Sequence, residues 1–111
     1  MQNFSKTALE NAVLSRLHDL HGATGFPPVE MVRVIGREDT PCGRYVDLEC
    51  ETRIHPESGY LDLGGSHIRL GAVPDGIMAV AKIDSGKLTT LEFTTYGGES
   101  WDGCEDGWEL I

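Results

Sequence analysis

The chain has 111 residues, of which 40% are hydrophobic and fourteen are glycine, and its formal net charge is −9. That length predicts a single domain, 1–111, with one core and no room for a second, and the composition excludes a disordered or fibrous chain. The charge excludes direct nucleic-acid binding, because phosphate contacts need clustered Lys and Arg.

The opening MQNFSKTALENAV lacks a basic n-region and an apolar h-region, and no run of about eighteen apolar residues occurs, so neither a signal peptide nor a membrane span is expected. A soluble cytoplasmic protein follows. Thr7-Ala8-Leu9-Glu10 is a capping-box pattern that predicts a helix start. Leu9, Val13, Leu17 and Leu20, with Ala12 beside them, form one apolar stripe, while Glu10, Asn11, Arg16 and Asp19 fall largely on other faces. Gly22 is the expected C-cap, and His18 and His21 complement the helix dipole rather than bind metal.

Residues 29–35, VEMVRVI, read as a strand, and 36–43, GREDTPCG, as a polar connection. Over 44–54, Val46, Leu48, Cys50, Thr52 and Ile54 alternate with Tyr45, Asp47, Glu49, Glu51 and Arg53, which predicts a strand with one core face and one wet face. Pro56 then helps to turn the chain. Residues 60–63 and 67–70 are short alternating runs around Gly64-Gly65-Ser66 and suggest a tight hairpin. The clearest signal is 76–96: two period-two runs joined by Asp84-Ser85-Gly86, expected as a hairpin with a three-residue loop and with Thr89, Leu91, Phe93 and Thr95 on one face. Residues 97–107 form an acidic loop around Trp101, and 108–111 a short edge strand.

These elements predict an α+β fold, one N-terminal amphipathic helix packed on a curved, mostly antiparallel β-sheet of five to seven strands. A small barrel capped by the helix is the alternative. Cys42, Cys50 and Cys104 are odd in number and without CxxC spacing, which fits a reducing compartment, with Cys50 a small buried thiol.

No catalytic, metal or cofactor motif emerges. Asp102 to Gly107 resembles the start of a calcium loop, but Cys104 stands at its third ligand position and the sequence ends at Ile111, before a bidentate glutamate at position twelve. Gly64-Gly65 and Gly97-Gly98 open no helix and precede no Lys, so they read as turns. The remaining signals are acidic. Asp47, Glu49 and Glu51 repeat at period two, roughly 6.5–7 Å apart on one strand face, as a solvated face or a docking surface for a basic protein. Glu92, Glu99, Asp102, Glu105, Asp106 and Glu109 all follow Lys87, the last basic residue. Trp101 is either pinned on the hairpin or exposed as an anchor, whereas Trp108 is expected in the core.

The segment DSGKLTTLEFTTYGGESWDG, with the small-apolar strand before it, resembles the end of several small bacterial proteins across residues 76–102. Similar small acidic proteins are encoded beside polymorphic or contact-dependent growth-inhibition toxins as their immunity proteins. The resemblance implies a cytoplasmic bacterial inhibitor with no catalytic residue and no cofactor, whose partner is a cognate toxin domain, in many cases a basic nuclease. The expected contacts are Asp47, Glu49 and Glu51 on the strand, and Glu99, Trp101, Asp102, Glu105 and Asp106 in the loop. Rival readings are a small enzyme or ligand-binding domain using His67 or His55 in a pocket between helix and sheet, and a module that oligomerises through its last strand.

Overall fold

A computed structural model describes residues 5–55 and 57–111. The expectation for Pro56 therefore lies outside the described residues. Helix α1 spans Ala8–His21, and both halves of the capping box form: Thr7 Oγ1 accepts the Glu10 N–H at 3.1 Å and the Glu10 carboxylate accepts the Thr7 N–H at 3.0 Å. Its buried residues are Leu9, Glu10, Val13, Leu14 and Leu17. At about 100° per residue these cover an arc of roughly 140°. Glu10 lies inside that arc, contrary to expectation, while Leu20 in the last turn lies beside Gly64 and stays 47% exposed. Gly22 is the C-cap, as expected, but does not reverse the chain. It remains right-handed at φ −59° and begins a 3₁₀ turn over Gly22–Thr24; the left-handed cap is Gly25 at φ 98°. His18 Nδ1 and His21 Nε2 donate to the carbonyl oxygens of Phe26 and Asp62, each at 2.8 Å, so both histidines fasten the helix end.

After Pro27-Pro28 the chain makes a 3₁₀ turn at Val29–Met31, where a strand was expected. Strand β1 is Arg33–Thr40 and takes in most of the supposed polar connection. A two-residue turn, Pro41-Cys42, leads into β2, Gly43–Glu49, and the two pair antiparallel from Thr40↔Gly43 to Arg33↔Glu49 with a bulge at Ile35. Val34 reaches the core, but beyond the bulge the strand is polar because its inward positions, Arg37 and Asp39, end in an ion cluster. β2 stops at Glu49, short of the expected 54. The chain then crosses to the central hairpin, where Arg53 bridges Lys87, and Gly86 accepts the Ile54 N–H at 2.8 Å and donates to Glu57 at 2.7 Å.

Strands β3, Gly59–Asp62, and β4, Ile68–Arg69, do not form a hairpin. Both lie along one edge of β5, Ile77–Asp84, through Asp62↔Val80 and Ile68↔Ile77. An eight-residue strand offers an edge long enough to take them in series. The other edge of β5 pairs with β6, Lys87–Thr95, and β7, Glu109–Leu110, the expected short edge strand, pairs with β4. Among the described residues the sheet has seven strands in the order β1-β2-β6-β5-β4-β7, with β3 also on β5, and it does not close into a barrel. The helix covers one face. There Leu9, Val13, Leu14 and Leu17 join Val46, Leu48, Ile77, Ala79, Ala81 and Phe93 in the core, each large side chain contributing about 1.5–3 kcal/mol by burial.

Two details of the central hairpin differ from expectation. Thr89 is an extra residue between Ile83↔Leu88 and Lys82↔Thr90, so the inward residue at that end is Leu88. The loop is the two-residue Ser85-Gly86, with φ of 52° and 77°. Positive φ at both positions is the type I′ geometry, which favours Asn-Gly. Ser85→Asn is therefore expected to raise the unfolding free energy by about 0.5 kcal/mol and the melting temperature by a few degrees. Calorimetry checks it; an unchanged or lower transition removes the turn argument.

Candidate functional site

Two groups of charged residues lie on opposite faces of the sheet. On the helix side, Glu10 is fully buried and receives Arg37 in a fork, Nη2 to Oε1 at 2.6 Å and Nε to Oε2 at 2.8 Å. Arg44, also buried, bonds Asp39 at 2.8 Å, Glu105 at 2.5 Å and the Gly103 carbonyl at 2.9 Å, and touches Glu10 at 3.5 Å. Its guanidinium carbon stands 4.9 Å from the Trp101 ring centroid. The helix start, β1, β2 and the C-terminal loop thus meet at one place.

Both guanidinium groups are held above their ordinary value. For Arg37 the hydrogen bonds to Glu10 dominate over burial. For Arg44 burial is the largest influence and acts downward, but Asp39 and Glu105 together outweigh it. The folded value being the raised one, the cationic cluster contributes fully at pH values below the unfolded guanidinium range and loses its contribution only as pH rises through the folded value.

This cluster decides what the acidic loop is. Trp101 is 3% exposed, packs edge-on to Phe93 at 6.2 Å, donates Nε1–H to the Cys104 carbonyl at 2.8 Å and donates its backbone N–H to Pro41 at 2.9 Å. It is pinned on the hairpin and is not an exposed anchor. Glu105 is held by Arg44, Thr95 Oγ1 donates to the Glu99 carbonyl at 2.6 Å, and the Asp102 carboxylate accepts the Cys104 N–H at 2.9 Å. Glu99 is half-buried and Asp106 exposed. The loop is stapled structure: Trp101 is buried instead of exposed as an anchor, and Glu105 is engaged by Arg44. Trp108 packs against the core, and Cys50 is buried, as expected.

The face away from the helix is different. Asp47 and Glu49 project from β2 as expected, and Glu51 is exposed just beyond the strand end. Strand register adds neighbours that lie far away in sequence. One row across the sheet runs Glu38, Tyr45, Glu92, Val80, Asp62; the next contains Asp47, Thr90 and Lys82. Glu49 is engaged by Arg33, an exposed pair of little energetic weight. The side-chain carboxylates of Glu38, Asp47 and Glu92 have no hydrogen bond or ion pair among the described residues. Tyr45 stands between Glu38 and Glu92, 46% exposed, and Met78, 42% exposed, lies on β5 diagonal to Glu92.

Comparison with family models, with curated proteins and with solved structures gave no match.

His67 stacks on Tyr96 at 6.0 Å and lines an open groove of about 380 Å³ with Arg69, Val73, Pro74 and Asp75, at the β4 side of the sheet. His55 is exposed, and its backbone N–H donates to Thr24. Among the described residues no group of three or more His, Cys, Asp or Glu can hold a metal ion, and no helix is long and apolar enough to cross a membrane.

Proposed function

We propose that this chain is an immunity protein that binds a cognate bacterial toxin domain of basic character and neutralises it in the cytoplasm, through the open acidic face of its sheet and without catalysis of its own. The observation that carries the reading is the contrast between the two faces. On the inner side Glu10, Asp39 and Glu105 are each held by Arg37 or Arg44, while on the open side the carboxylates of Glu38, Asp47 and Glu92 have no partner among the described residues and Tyr45 stands between Glu38 and Glu92. Unpaired carboxylates steer a cationic partner and repel polyanions, and exposed aromatic and Met side chains supply desolvated contact area once it has docked. The resemblance at residues 76–102 supplies the partner class, and three free cysteines suit a reducing compartment.

The test is co-purification with the product of the adjacent gene. A 1:1 complex is expected, with association slowing as salt rises. Asp47→Lys is expected to lower the association rate constant by about tenfold at low salt with an unchanged melting temperature, and Asp106→Lys, in the stapled loop, to do much less. Salt-independent association, or no complex, overturns the reading.

A further inference from the structure

We infer that the partner presents an arginine side chain to the centre of the open face, stacked on Tyr45 between Glu38 and Glu92. This rests on the docking reading above and specifies its chemistry.

Register places Glu38 on one side of Tyr45 and Glu92 on the other, one strand away in each direction. With strands about 4.8 Å apart, the backbone positions that carry the two carboxylates lie roughly 10 Å from one another with that of Tyr45 between them. An aromatic face bracketed by two free carboxylates matches a planar guanidinium, which stacks through its face and donates through its edges. A lysine ammonium is compact and strongly hydrated, and cannot stack and reach both sides at once.

The same strand already satisfies an arginine in this way on its other face. Arg44, next to Tyr45, has its guanidinium over Trp101 and its N–H groups on Asp39 and Glu105. The outer face repeats the acceptors and the ring without the cation. Lys82, in the neighbouring row, forms no ion pair with Glu38 or Glu92. A second copy of the chain does not fit as occupant, because at net charge −9 it would bring the same carboxylates against themselves. A bare metal ion does not fit either, since this trio supplies only two carboxylates, far apart.

The experiment titrates the isotope-labelled full chain with two short peptides of equal charge, one carrying arginine and the other lysine. The arginine peptide is expected to shift the amide resonances of Glu38, Tyr45 and Glu92, and to bind on the order of threefold to fivefold more tightly than the lysine peptide. Tyr45→Leu is expected to abolish that preference and keep the weaker charge-driven binding. Should Tyr45→Leu unfold, the pair Glu38→Gln with Glu92→Gln serves instead, and is expected to weaken the arginine peptide more than the lysine peptide. Equal affinities at this face, unmoved by the variants, overturn the arginine assignment and leave the docking face standing. Shifts confined to residues 97–107, or none anywhere, overturn both.

Discussion

Arg44→Ala is expected to lower the unfolding free energy by about 3–5 kcal/mol, a large share of the roughly 5–15 kcal/mol that holds a typical domain together. The cost comes mainly from what is left behind. Glu10 stays fully buried with Arg37 alone, Asp39 and Glu105 lose the cation between them, the Gly103 carbonyl loses its donor, and Trp101 loses the guanidinium over its ring. Urea unfolding measures the effect, and the near-UV dichroism of Trp101 reports whether the loop has come away. A loss below about 1 kcal/mol would mean that water replaces Arg44 around the carboxylates, and that the cluster sets geometry rather than stability.

Gly43→Ala is expected to cost about 3 kcal/mol for a single methyl group. Gly43 is buried at the start of β2, opposite Thr94, and a Cβ there would run into the carbonyl oxygen of Phe93, with the Phe93 carbon and Thr94 Cα also close. These are backbone atoms of the central strand β6, so they cannot rotate aside, and β2 must lift away at the point where Arg44 begins its contacts. Gly65→Ala is the matched control: nothing lies within 4 Å of its Cβ position, and its φ is not positive, so a change within about ±0.5 kcal/mol is expected. Thermal unfolding of the two variants decides the matter; equal transitions would refute the steric account.

What the sequence reveals is what is local. The capping box, the apolar stripe from Leu9 to Leu17 and the alternation through Ile77–Asp84 and Leu91–Thr95 form, because each depends on residues within a turn or a strand of one another. The burial of Glu10 was hidden because its partners are Arg37 and Arg44, 27 and 34 residues away. The second half of β1, from Gly36 to Thr40, was hidden for the same reason: its inward side chains, Arg37 and Asp39, are charged, and no apolar alternation announces a strand whose inner surface is an ion cluster. The site divides likewise. Asp47 follows from period two along one strand, whereas Glu38 and Glu92 join it only through cross-strand register. Counting acids pointed to the C-terminal loop, but a count does not say which carboxylates an arginine already holds, and Arg44 holds Glu105.

The unequal flanks of β5 divide the molecule in another respect. One flank faces a single continuous partner, with pairs from Ile77↔Thr95 to Asp84↔Lys87; the other is shared by β3 and β4, each short, with the chain leaving the sheet between them. Amides that point toward β6 are shielded by an all-or-none ladder, while those that point toward β3 and β4 open whenever one short segment detaches. A single strand thus carries two lifetimes of solvent protection, and one side of the sheet can breathe in small steps while the side that presents Tyr45 holds its shape.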